Sequence, residues 1–165
     1  MSSIMELVSN ALILERVGSP PGDCQARRRQ GGVVTGDHGQ HWPIDDDLSG
    51  LRDRLLHHAT LAGMRGARLD DLLIAVNEAV INVLEHGDGQ GTVSFWHDDD
   101  GVTVEISDTA GRLAPLDVPP QRPADAVRGF GLWLMSRLCD EFSIHQGSGG
   151  SLVRLRMRLD PAPAL

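Results

Sequence analysis

A chain of 165 residues has room for one domain and a loose end. Hydrophobic residues make up 41%, aromatics only 4%, and Tyr is absent, so the core must be built mainly from Leu, Val, Ile and Ala. The net charge of −8 repels phosphate backbones and argues against a direct nucleic-acid partner for the chain as a whole. Cys24 and Cys139 are the two cysteines and have no CxxC spacing, which speaks against a zinc site or a disulfide framework and fits a reducing compartment. Met1 to Leu14 lacks a basic n-region and a long apolar run, so neither a signal peptide nor a membrane span is expected, and the chain is expected to be cytoplasmic.

Residues 1–37 read as a flexible N-terminal extension, 38–160 as the ordered domain and 161–165 as a tail. The extension carries Pro20-Pro21-Gly22 and the basic run Arg27-Arg28-Arg29, read here as solvated, and shows no period past Val17. Gln40 to Ile44 suits a short edge strand, where Pro43 is tolerated. Asp45-Asp46-Asp47 supplies an acidic start for a first helix over 48–63, with Leu48, Leu51, Leu55, Ala59 and Ala62 at helical spacing. A second helix is expected from Arg68 to His86. Leu69, Leu72, Leu73, Val76, Ala79, Val80, Val83 and Leu84 give it a broad apolar face, and Ile74 and Ile81 lie outside that face.

Three strand signals follow. Thr92 to His97 is the first, and Asp100-Gly101 marks a tight turn after it. Val102, Val104 and Ile106 alternate with Thr103, Glu105 and Ser107 in the second. Val153, Leu155, Met157 and Leu159 alternate with Arg154, Arg156 and Arg158 in the last, while Phe142 and Ile144 mark one more strand before it. A short helix is expected over Phe130–Leu138. Arg112 to Arg128 has no period and reads as a functional loop or lid. This order predicts an α+β fold: a two-layer sandwich with a mixed, mostly antiparallel sheet covered by helices on one face.

Three clusters carry candidate chemistry. Glu78 and Asn82 are spaced i, i+4 and share one helix face, which continues to His86. A carboxylate and an amide inside so apolar a helix need a partner. A hydrated magnesium ion fits, with the Asn82 carbonyl as ligand and Glu78 as a base; an internal hydrogen-bonded pair fits the spacing as well. Asp108 ends an alternating strand where a loop begins. It suits either an acceptor for an exocyclic amine such as that of adenine or an ordinary turn residue. Gly129-Phe130-Gly131-Leu132 opens a helix, where free backbone N–H groups can face a phosphate; a lone GxG is a weak signal. His57-His58 and His97 beside Asp98-Asp99-Asp100 lack ligand spacing and read as solvated surface, and Trp133 reads as core packing.

In order and spacing these clusters resemble the N, G1 and G2 boxes of the GHKL ATPases, which share the Bergerat fold. More narrowly, the chain resembles the anti-sigma factor serine/threonine kinases, over roughly Trp42 to Leu159. The motifs that carry it are Glu78-Ala79-Val80-Ile81-Asn82 followed by Val83-Leu84-Glu85-His86-Gly87, then Gly129-Phe130-Gly131-Leu132-Trp133-Leu134-Met135, and last Gly150-Ser151-Leu152-Val153. The resemblance implies an ATP or ADP site with Mg²⁺. Glu78 would be the general base and Asn82 the magnesium ligand. His86, Asp108, Gly111, Phe130 and Leu132 would line the nucleotide, with Gly129 and Gly131 at the phosphates. Arg52 would face the partner. It further implies phosphorylation of a Ser or Thr on a small antagonist (anti-anti-sigma) protein, control of a sigma factor, and a homodimer. The other implied class is a non-catalytic, nucleotide-dependent switch that sequesters a regulator. One motif departs from the pattern: the first glycine box is Asp108-Thr109-Ala110-Gly111-Arg112, where the family has Asp-x-Gly-x-Gly.

Overall fold

The structure is a computed structural model, and it describes residues 39–86, 89–111 and 130–160. The expected extension over 1–37, the lid over 112–128, Gly129 and the tail lie outside the described residues. The described chain forms β1 (Gln40–Pro43), α1 (Leu48–Leu61), α2 (Gly66–His86), β2 (Gly91–His97), β3 (Gly101–Asp108), α3 (Phe130–Leu138), β4 (Glu141–Gly147) and β5 (Gly150–Arg158).

Each element starts where its sequence supplies a local reason. Asp47 caps α1, its Oδ1 accepting the Gly50 N–H at 2.9 Å, and this satisfies one of the free donors of the first turn. Asp98 organises the β2–β3 turn by accepting the N–H groups of Asp100 and Gly101 at 3.0 and 2.9 Å. The β4–β5 connection is a tight hairpin, closed by the pair Gly147 and Gly150.

The five strands form one sheet in the order β1-β2-β3-β5-β4. Every described pairing is antiparallel, so the mixed component expected from the sequence is not found among these strands. Strand alternation sorts the sheet into two faces. Val93, Phe95, Val102, Val104, Ile106, Ile144, Val153, Leu155 and Met157 are buried on one. The helices cover that face: α2 lies over β3 and β5, with α1 and α3 packed against it. Leu72, Leu73, Ala75, Val76, Ala79, Val80 and Val83 of α2 are buried, which explains a helix apolar on most sides.

The other face is polar. Arg154 pairs with Glu105, and Arg156 bonds the Thr103 hydroxyl at 2.9 Å and Asp98 at 2.8 Å. The arginines that alternate along β5 are thus partly tied into a cross-strand charge ladder. His57 and His97 are exposed as expected, and His58 is not. His58 is half-buried, its ring 5.4 Å from Trp42 and 5.9 Å from Phe95, so it is packing material and not solvated surface. Among the described residues no helix is long and apolar enough to cross a membrane, and no group of three or more His, Cys, Asp or Glu could hold a metal ion.

Candidate functional site

The site begins on α2. Glu78 and Asn82 are half-buried one turn apart, and His86 is exposed at the helix end. Val83 and the Ser107 carbonyl both lie against Gly91: a Cβ added there would come within 3.1 Å of the Val83 Cγ1 and 2.3 Å of the Ser107 oxygen. Gly91 pairs in register with Asp108. The turn of α2 that carries Asn82 and Val83 therefore crosses the sheet at the end where Asp108 stands.

The first turn of α3 closes onto Glu78. A Cβ built on Gly131 would lie 2.8 Å from Glu78 Oε2 and 3.7 Å from its Cβ. A side chain at this position would push the tip of Glu78 aside, and the approach brings the carboxylate to the N-terminal end of α3, where the helix dipole is positive. Phe130 is half-buried with its ring 5.7 Å from that of Trp133, and Leu132 is buried in the core.

Asp108 is 3% exposed, and both its oxygens have partners. Oδ2 accepts the Ser151 hydroxyl at 2.8 Å and Oδ1 accepts the Ala110 N–H at 2.6 Å. Ser151 sits directly across from Asp108 in the β3–β5 register. The sequence reading gives Ser151 no role; the available signal is a lone Ser on the core-facing parity of β5. Gly150 is held at φ +123, and a Cβ on it would lie 1.9 Å from the Asp108 carbonyl oxygen. Gly111, at φ +63, packs its open side on the Gly150 backbone, with Gly150 Cα 3.3 Å from where its Cβ would be.

Among the described residues the buried amide nitrogen of Asn82 has no hydrogen-bond partner, as is also true of Arg54 Nε and Trp133 Nε1. A buried polar atom left unpaired costs on the order of 1–3 kcal/mol, which a ligand bound beside Glu78 would recover at Asn82. The amide can also turn its oxygen into that position. An oxygen-ligated cation and an anionic nucleotide therefore fit the residues present. Asn82 offers an unused amide, Gly131 leaves the space a Cβ would fill, and each Asp108 oxygen keeps a second lone pair. Arg52 stands apart from this cluster. It is exposed and lines a narrow cleft between α1 and α2 with Leu48, Leu55, Leu73 and Asn77.

The family described as the histidine kinase-like ATPase domain matches residues 41–157. The chain belongs to that family. The chain also resembles particular proteins. A serine-protein kinase RsbW from Listeria monocytogenes is 29% identical over 120 residues, covering 64% of this chain and 72% of that one. A serine-protein kinase RsbW from Bacillus pumilus is 30% identical over 118 residues, covering 62% and 68%. The solved RsbU and RsbW domains of Rv1364c from Mycobacterium tuberculosis match with a TM-score of 0.57 at 24% identity over 75% of this chain, a likeness that shows the fold. The ATPase domain spans about one third of that solved chain, 33%. The resemblance to the anti-sigma factor kinases drawn from the motifs thus stands on named relatives as well.

Proposed function

We propose that this ATPase domain is a cytoplasmic serine/threonine kinase that uses Mg-ATP to phosphorylate a small antagonist protein and so controls a sigma factor or related regulator. The observation that carries this reading is the contact of Gly131 with Glu78, one turn from the unpartnered Asn82 amide. A carboxylate beside a helix N-terminus, with an amide one turn away that could hold a metal ion, suits phosphoryl transfer to a hydroxyl.

The roles follow from the chemistry. A serine hydroxyl is a weak nucleophile at neutral pH, so a carboxylate must take its proton as the bond to phosphorus forms. Glu78 is the residue for that step. Asn82 would hold the magnesium ion, which when bound neutralises charge on the phosphate oxygens. Asp108, fixed by Ser151 and Ala110, would accept the nucleobase amine, and Gly111, Phe130, Leu132 and His86 would border the nucleotide. The first turn of α3 would receive the phosphates. Arg52, on the exposed face of α1, would meet the partner protein. The RsbW relatives support this reading through the activity in their name, serine-protein kinase.

The test is transfer of radiolabelled phosphate from ATP to purified candidate antagonists, with the phosphorylated residue located by mass spectrometry. Labelled Ser or Thr on one candidate is the expected result. Nucleotide binding by calorimetry with no transfer to any candidate would replace the kinase with a nucleotide-dependent binding switch. No binding at millimolar nucleotide would remove both readings.

A further inference from the structure

The start of the segment that follows β3 is held at two points by one hairpin, and one of the residues holding it lies outside the motifs that carry the family resemblance. Asp108 ends β3 and Gly111 follows three residues on. The Asp108 carboxylate is held by the Ser151 hydroxyl of β5. The Gly111 carbonyl is held by the side-chain amide of Gln146 on β4, whose Nε2 donates to it. Gln146 and Ser151 are directly opposite each other in the β4–β5 register, so their side chains leave the hairpin on the same face. Between them Gly150 lies flat against the Asp108 carbonyl, and Gly111 packs on Gly150. Two polar side chains and one backbone-to-backbone contact thus fix Asp108 and Gly111, at the start of the segment that leaves β3.

We propose that Gln146 is a positioning residue for nucleotide binding: by holding the Gly111 carbonyl it fixes the Asp108–Gly111 loop in the shape that receives the nucleotide. The inference rests on the nucleotide-binding reading above and deepens it. Its physical basis is the composition of the loop. Thr109 and Ala110 are ordinary L-residues, and Gly111 is the glycine of this four-residue stretch, at φ +63. Among the described residues, the bond of the Ala110 N–H to Asp108 ties the start of the stretch, and the Gln146 amide ties Gly111. An external donor lowers the number of shapes the free loop samples, and binding then costs less ordering. Gln146 is exposed, so its loss opens no cavity in the core.

The test compares wild type with Gln146→Glu, Gln146→Ala and Ser148→Ala in the full chain. Gln146→Glu keeps the shape and replaces the donor with an acceptor facing a carbonyl. Ser148→Ala changes the exposed turn of the same hairpin and leaves the tether intact. Calorimetry with Mg-ADP should show affinity about 3- to 10-fold weaker for both Gln146 variants, the scale of one lost hydrogen bond, and unchanged for Ser148→Ala. Melting temperatures without ligand should stay within about 2 °C of wild type, as for a surface change. Hydrogen exchange in the ligand-free protein should show faster exchange of the Ala110 and Gly111 amides in Gln146→Glu. Equal ADP affinity in wild type and both Gln146 variants, or unaltered exchange of these amides, overturns the positioning role while leaving the nucleotide site standing. An equal loss in Ser148→Ala also overturns it, since the effect would then belong to the hairpin and not to the tether. A wild type that binds no ADP overturns the underlying reading as well, and is told apart by that titration alone.

Discussion

Gly131 lies so close to Glu78 that a methyl group on it would meet the carboxylate at 2.8 Å. That distance is tighter than carbon–oxygen contact permits, so Gly131→Ala must move either the carboxylate or the first turn of α3. A base displaced by about 1 Å can cost on the order of 10²-fold in rate. The expected outcome is transfer reduced by at least about 10-fold, with little change in melting temperature because the contact is at a helix end. Side-by-side transfer assays and thermal melts check it. Transfer at the wild-type rate would mean that the approach of α3 to Glu78 has no part in the reaction.

Glu78 and Asn82 share a helix face but should fail differently. Glu78→Gln keeps shape and polarity and removes the proton acceptor. It should leave Mg-ATP affinity within a few-fold and lower transfer by on the order of 10²-fold or more. Asn82→Ala removes the unpartnered amide. It should erase most of the difference between ATP affinity with and without magnesium. Calorimetry in magnesium and in chelator separates the two, and a magnesium effect that survives in Asn82→Ala would reassign the metal ligand.

Much of this was readable from residue patterns, for reasons particular to each element. α3 runs over Phe130–Leu138 as expected, because its apolar residues are continuous and the two glycines lie at its start. The strands follow their alternation, since one face meets the helices. Alternation does not say which strand lies beside which, and so it could not place β5 between β3 and β4. Without that order Ser151 has no visible partner, and Gln146 is an ordinary polar residue near a hairpin end. His58 misled for the same reason, while its neighbour His57 is exposed as expected. A helical His looks solvated until the sheet brings Trp42 and Phe95 up against it. The family assignment succeeded where these failed because Glu78, Asn82 and the glycine pair stand at fixed local spacing in the sequence.

Gly147 and Gly150 pair across the same hairpin yet should respond oppositely to alanine. Around Gly147 there is nothing within 4 Å to meet a methyl group. At Gly150 the methyl group would lie 1.9 Å from the Asp108 oxygen, on a backbone at φ +123 that L-residues rarely adopt. Strain alone costs about 1–3 kcal/mol, and the backbone clash adds to it. Gly150→Ala should lower the melting temperature by roughly 4 °C or more, at about 2–4 °C per kcal/mol for a domain of this size. Gly147→Ala should stay within about 0.5 kcal/mol of wild type, as surface changes usually do. Thermal melts of both variants decide it, and equal stability would show that β3 and β5 do not approach at this point.

His58 should make stability depend on pH near neutrality. Its pKa is lowered from the usual 6.5, first by burial and then by the neighbouring His57. The folded state therefore resists protonation more than the unfolded chain does. The contribution of His58 is complete above about pH 6.5, the ordinary value for an unfolded histidine. It declines as pH falls from there through the lowered folded value, because the unfolded chain takes up the proton first. The difference in melting temperature between wild type and His58→Phe isolates this effect from the carboxylates, which titrate at lower pH in both proteins. Phe keeps a ring against Trp42 and Phe95 and cannot be protonated. Wild type should lose ground against His58→Phe as the pH is lowered from 7.5 to 5.5. A difference that stays constant over that range would show that the packing of His58 between Trp42 and Phe95 does not disfavour its charged form.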